Sequence, residues 1–273
     1  MKEQIVRAIE SVHASRPLVH SITNFVVMNI TANALLSAHA SPLMAHAVEE
    51  LDDLTDIDSA LVLNIGTLDP AWLESMELAG KLMRSKGKPV VLDPVGAGAS
   101  RLRTEASLRL LDMVRPQIVR GNASEIMALA SEIRRAERLP SAASSSTKGV
   151  DSLNDSREAV DSARFLAERF SCVVSISGER DFVTDGETVL VVEGGSPLMP
   201  LVTGMGCSAS AVTGAYAACA EPLTAAAAAM AVFASAGEKA GRLAKGPGTF
   251  LPHFLDELYA IDAEDAAGRV RKI

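Results

Sequence analysis

Four times in this chain an apolar run of strand length stops on polar or glycine residues and gives way to a helical pattern. The runs are Ala60-Leu61-Val62-Leu63-Asn64-Ile65-Gly66-Thr67, Pro89-Val90-Val91-Leu92-Asp93-Pro94-Val95-Gly96-Ala97-Gly98, Gln117-Ile118-Val119-Arg120-Gly121-Asn122 and Cys172-Val173-Val174-Ser175-Ile176-Ser177-Gly178-Glu179. A strand that is apolar on both faces belongs inside a parallel sheet covered by helices. Strands alternating with helices build such a sheet, so the expected class is α/β, one domain with a mostly parallel central sheet. Ligands bind beyond the carboxyl ends of the strands in sheets of this kind, which puts Asp93, Arg120, Asn122 and the following Glu125 at the candidate site.

The remaining segments fit around that sheet. Ile5, Val6, Ile9 and Val12 recur at helical spacing over residues 2–13, and Pro17 ends the helix. Leu18 to Asn24 reads as a short strand whose polar end leaves Thr23 and Asn24 either to cap the apolar segment through Leu36 or to meet a ligand. Ala40 to Ala45 is a small-residue strand ending near Met44. Six carboxylates between Glu49 and Asp58 lack the ligand order of a calcium loop and read as a solvated helix face. Helices are expected over Pro70–Lys86, Thr104–Val114 and Ser156–Phe170. Residues 139–154 are Ser/Ala-rich without periodicity, a surface loop or insertion. Phe182 to Val192 is a hairpin turning at Asp185-Gly186, Leu223 to Ala234 a core helix, and Thr249 to Ile261 the last helix.

Val202-Thr203-Gly204-Met205-Gly206-Cys207 ends an extended segment and feeds a helix of small residues from Cys207 to about Cys219. The first turn of a helix carries unpaired N–H groups and the positive end of the dipole, and glycine lets a ligand approach the main chain. A Gly-x-Gly before a helix is also a common tight turn, so the stretch gains its meaning from its companions.

Composition removes several classes. Twenty-six basic against thirty-four acidic residues, a formal charge of −8, and no dense Lys/Arg stripe leave no nucleic-acid surface. Cys172, Cys207 and Cys219 are too few and wrongly spaced for a disulfide framework or a structural zinc site, which fits a cytoplasmic protein. The N-terminus lacks a signal peptide's apolar core, and no apolar run approaches the ~20 residues that span a bilayer.

A phosphoryl transfer needs an anion cradle, a divalent cation on carboxylates and a group that positions the attacking hydroxyl. Gly204 to Cys207 offers the cradle, Asp93 and Glu125 suit magnesium that keeps most of its waters, and Arg120 supplies a fork of donors for nucleotide phosphates. Each has a structural alternative. Asp93 before Pro94 can simply start a turn, Glu125 can close a capping box with Asn122, and Arg120 can lie at the surface.

Those same stretches resemble the hydroxyethylthiazole kinases, ribokinase-like enzymes of thiamine synthesis. The resemblance is carried by Val-His-Ser-Ile-Thr-Asn at 19–24, Ser-Pro-Leu-Met-Ala at 41–45, Leu-Val-Leu-Asn-Ile-Gly-Thr at 61–67, Leu-Asp-Pro-Val-Gly-Ala-Gly at 92–98, Arg-Gly-Asn-Ala-Ser-Glu at 120–125 and Thr-Gly-Met-Gly-Cys at 203–207. It implies a ribokinase-like fold and transfer of phosphate from ATP, with magnesium (Mg2+), to the hydroxyl of 4-methyl-5-(2-hydroxyethyl)thiazole. By position it implies that Met44 and Gly204 contact the thiazole, that Arg120 and Ser177 contact ATP, and that Asn24, Gly66 and the Gly96–Gly98 loop line the same pocket. Asn122 and Glu125 match an Asn-x-x-Glu pattern used near magnesium. It further implies a homotrimer with sites between subunits.

Two residues depart from the wider pattern. Most ribokinase-like enzymes carry an aspartate base where Cys207 stands, but the thiazole kinases carry cysteine, and a helix N-terminus should lower its pKa if it is a base rather than a small packing residue. Met205 replaces a smaller residue between the glycines, which should narrow the phosphate pocket or shift substrate preference. The rival readings are a hydroxymethylpyrimidine kinase or a nicotinamide-hydrate dehydratase, which would show aspartate at 207, and a non-catalytic thiazole- or nucleotide-binding protein.

Overall fold

In the computed structural model, which describes residues 1–139 and 152–273, the first helix, α1 (Lys2–Ser15), leads into β1 (Leu18–Ile22), α2 (Met28–Ser37) and β2 (Ser41–Leu43). A short 3₁₀ turn precedes α3 (Leu51–Ile57). Then strands and helices alternate as anticipated: β3 (Ala60–Asn64), α4 (Pro70–Ser85), β4 (Val90–Asp93), α5 (Arg101–Val114), β5 (Ile118–Asn122), α6 (Ala123–Ala136), α7 (Ser152–Phe170) and β6 (Val173–Ser177). Two more strands, β7 (Asp181–Thr184) and β8 (Val189–Val192), are followed by α8 (Met205–Ala217), α9 (Pro222–Leu243), α10 (Pro247–Tyr259), α11 (Ala263–Ala267) and β9 (Val270–Lys272).

Among the described residues nine strands form one sheet in the order β2-β1-β3-β4-β5-β6-β7-β8-β9. Every pairing from β2 to β6 is parallel, and the three from β6 to β9 are antiparallel. Successive strand residues face opposite sides, so Val62, Val91 and Ile118 join one core with α1, α2, α8, α9 and α10. Leu61, Leu63, Leu92 and Val119 join the other, with α4, α5, α6 and α7. The alanines of α9 are buried from Ala225 to Ala231, where small side chains let neighbouring helices approach closely.

Several expectations change in detail. Asp185-Gly186 lies in a four-residue loop rather than a two-residue turn, because Thr184 pairs with Val189 and the Asp185 carboxylate receives the N–H groups of Glu187 and Thr188. α8 begins at Met205, two residues early, so Gly206 lies inside its first turn. α10 begins at Pro247, since proline suits a first helical position. Five of the six clustered carboxylates are exposed, but Asp58 is fully buried and holds His20 at 2.7 Å. The unperiodic stretch 139–154 lies largely outside the described residues.

Candidate active site

The carboxyl ends of β1, β3, β4, β5 and β6 deliver Asn24, Asn64, Asp93, Arg120, Asn122 and Ser177 to one edge of the sheet, and the start of α8 meets them there. Thr23 and Asn24 do not cap α2, whose N-cap is Val27 with no side-chain bond. Asn24 is buried, and its amide N–H group donates to Asn64 Oδ1 at 2.8 Å and faces Cys207 Sγ at 3.6 Å. Asn64 in turn donates to Asp93 Oδ2 at 2.7 Å, and Ser210, on α8, donates to the same oxygen at 2.7 Å.

Burial raises the Asp93 carboxyl to about 6, against the pull of Arg120 and Ser210 and with a further push from Glu125. Arg120 and Glu125 thus both lie near enough to act on the Asp93 carboxyl. Glu125 closes a capping box with Asn122: Asn122 N–H donates to Oε2 at 2.8 Å, and Glu125 N–H donates to Asn122 Oδ1 at 2.9 Å. Its other oxygen accepts from Gly96 N–H at 2.8 Å. The structural alternative is therefore realised, yet each carboxylate oxygen keeps a lone pair. Among the described residues no cluster of three or more His, Cys, Asp or Glu side chains is placed to hold a metal ion. Two hydrogen-bonded carboxylates suit a hydrated magnesium better than a dedicated protein cage.

Arg120 is buried, not a surface residue, and Nη1 donates to the Gly206 carbonyl at 2.9 Å while Nε has no partner among the described residues. A Cβ at Gly206 would stand 3.0 Å from Nη1, so a side chain there would make the guanidinium shift by a few tenths of an ångström. Gly204 has φ +90, and its Cβ would meet Ile30 at 2.7 Å, so the first glycine is needed by α2 packing rather than by space for a phosphate. α8 has no side-chain cap. Its first-turn N–H groups are thus available to an anion, in contrast to α4, α5 and α6, which carry Asp69, Ser100 and Asn122 as caps.

A cavity of about 760 Å³ opens beside this helix start, walled in part by Arg120, Asn122, Ser177, Asp181, Met205 and Phe233. Met205 is buried in its wall. Asp181 was not legible as a site residue. Burial raises its carboxyl to about 6, opposed by the Gly178 N–H and by Arg120. The expected acceptor-side residues Asn24, Gly66, Met44 and Gly204 do not line this cavity. Gly66 joins the asparagine network through its N–H, 3.0 Å from Asn64 Oδ1. Met44 is half-buried just past β2, and the next residue, Ala45, receives a 2.8 Å bond from His20 Nε2, which must donate because a carbonyl only accepts.

The expected lowering of the Cys207 thiol is overturned: burial, with Asp93 nearby, pushes it up to about 11 despite the helix N-terminus. Asn64 and Ser210 were also missed. Asn64 was visible as the one polar residue closing an apolar strand, whereas Ser210 is one small helical residue among many.

The profile of the hydroxyethylthiazole kinase family matches residues 9–264. A hydroxyethylthiazole kinase of Nitratidesulfovibrio vulgaris is 53% identical over 270 residues, covering 98% of this chain and 97% of the relative. The solved structure of hydroxyethylthiazole kinase from Pyrococcus horikoshii OT3 superposes with a TM-score of 0.88 at 42% identity, covering 100% of both chains. A ribokinase-like superfamily protein from Enterococcus faecalis shares the fold at 12% identity, with a TM-score of 0.63 and coverage of 95% of this chain and 94% of the other.

Proposed function

The chain belongs to the hydroxyethylthiazole kinase family, and on that premise we propose how its residues divide the work of the reaction. The enzyme phosphorylates the hydroxyl of 4-methyl-5-(2-hydroxyethyl)thiazole with ATP, a step of thiamine synthesis and salvage, on a ribokinase-like α/β fold. The observation that carries the assignment of roles is the uncapped start of α8, set between the 760 Å³ cavity on one side and the Asn24–Asn64 network on the other.

Arg120, Asn122 and Ser177 hold ATP in the cavity, with Arg120 directed at its phosphates by the Gly206 carbonyl. Met44, Gly204, Asn24 and Gly66 receive the thiazole alcohol. The N–H groups from Gly204 to Cys207 take up the charge that spreads over the transferring phosphoryl oxygens. Magnesium, when bound at Asp93 and Glu125, supplies positive charge to the phosphates. Cys207, neutral at pH 7, contributes a compact polar surface beside the acceptor rather than a base. In a loose phosphoryl-transfer transition state little proton abstraction is needed early, so positioning carries the rate.

Mixing the protein with ATP, magnesium and the thiazole alcohol tests this reading. ADP release that depends on the alcohol supports a kinase; binding of both ligands without turnover supports a sensor, and turnover of a hydroxymethylpyrimidine instead supports that rival. Cys207→Ser, which exchanges one neutral polar group for another, keeps kcat within about tenfold of the parent. A much larger loss would mean that the thiol itself is required.

We place the enzyme in the cytoplasm, where its three free cysteines would stay reduced. Among the described residues no helix is long and apolar enough to cross a membrane. The enzyme works as a homotrimer with sites between subunits. Supporting this, Phe25 and Val26 are 58% and 66% exposed immediately after Asn24, an apolar step at the rim of the acceptor site.

A further inference from the structure

Asn64 is fully buried at the tip of β3, and every polar atom of its side chain is committed. Its Oδ1 accepts from the Gly66 N–H at 3.0 Å, and a backbone N–H can only donate, so this contact fixes which end of the amide is oxygen. The amide nitrogen must then face Asp93 Oδ2, as the 2.7 Å contact requires. With Oδ1 fixed, the neighbouring Asn24 has only one way to meet it, amide nitrogen first, at 2.8 Å. The same Asn24 nitrogen then turns toward Cys207 Sγ. Asn24 Oδ1 is left without a hydrogen-bond partner among the described residues. A flip of Asn64 would set its nitrogen against the Gly66 N–H and against the Asn24 amide, two donor–donor contacts in a buried site.

We propose that Asn64 is a positioning residue for the phosphoryl acceptor. Locked between Gly66 and Asp93, it dictates which way Asn24 presents its amide, so that Asn24 Oδ1 is aimed to accept the hydrogen bond of the incoming primary alcohol beside Cys207. This rests on Asn24 lying in the acceptor site, as proposed above. It also gives the acceptor side a direct link to the carboxylate side through Asp93, whose second hydrogen bond from Ser210 anchors the network to α8.

The experiment measures kcat, the KM values for the thiazole alcohol and for ATP, and thiazole binding by calorimetry without nucleotide. The proteins are the parent, Asn64→Ala, Asn24→Ala and the double variant. Asn64→Ala is expected to weaken thiazole binding and to lower kcat/KM for the alcohol by about 10- to 100-fold, as misorientation of a reacting group does, while ATP KM moves less than about twofold. Asn64→Ser, which keeps an acceptor for the Gly66 N–H, should recover part of the loss. In the Asn24→Ala background, Asn64→Ala should cost far less in thiazole binding than it does in the parent, because its effect on the acceptor runs through Asn24. Unchanged thiazole binding in an Asn64→Ala protein that binds ATP normally overturns the proposal, as do effects of the two substitutions that simply multiply. If Asn64→Ala does not fold, the same comparison is made with Asn64→Ser, where a normal thiazole KM without any coupling to Asn24→Ala overturns it. Failure of the underlying site assignment reads differently: Asn24→Ala alone would then leave thiazole KM and kcat untouched.

Discussion

Asp93, proposed above as a magnesium ligand, is a buried carboxylate that carries a cost in stability. Its carboxyl titrates near 6 rather than at the ordinary 3.8, chiefly because burial penalises the charged form. Between those two values the folded chain holds a proton that the unfolded chain has released, so this group's contribution falls as pH rises through that window and is lost above it. The penalty at neutral pH is at most about 3 kcal/mol. Asp93→Asn keeps an oxygen for Asn64 and Ser210 to donate to and removes the charge. The ligand-free variant should therefore melt at or above the parent at pH 8, while its turnover falls at least about 100-fold. Calorimetric melts at pH 5 and pH 8 alongside kinetics check both halves, and the parent's kcat/KM at limiting magnesium should drop below pH about 6 as Asp93 takes up its proton.

At the scale of elements, the junction of α2 with α8 carries the most consequence. Gly204 at φ +90 lets α8 begin directly against Ile30 and Val27. Gly204→Val combines a disfavoured backbone conformation with a collision, costing about 1–3 kcal/mol from the backbone alone. The expected outcome is a lower melting temperature together with loss of turnover, read by thermal denaturation and ADP release. A variant with parental stability and activity would show that the helix start tolerates displacement. The glycines were legible in the sequence, but the reason for Gly204 was not, because its partners sit some 175 positions away in the chain and only the fold brings α2 there. The parallel strands were legible for the opposite reason: an apolar run ending in Asp93 or in Arg120-Gly121-Asn122 states its burial and its open end locally. β9 was missed since three largely exposed residues, Val270 to Lys272, carry no periodic signal and become a strand only by pairing with β8. Asp58 was misjudged because its five exposed neighbours dominate the local pattern, while its partner His20 lies on β1.

Over the whole molecule, two cores clasp one sheet, and the proposed site runs along the edge where six parallel strands end. Near Phe25 that edge stays open among the described residues: the phenyl ring lies tilted against Trp72, centroids 4.7 Å apart, and still exposes most of its surface. If the proposed trimer seats a neighbour there, Phe25→Asp should shift the protein toward monomer in sedimentation velocity runs and raise thiazole KM by about tenfold or more, since hot-spot aromatics carry much of an interface's energy. ATP binding, on the far side of α8, should be spared.

Because no side chain caps α8, its leading N–H groups are open to a guest. A nucleotide seated there adds anchorage, so the loaded form should be the firmer of the two. Warming the empty and the nucleotide-loaded forms side by side would turn that difference into a gauge of whether the cradle is intact.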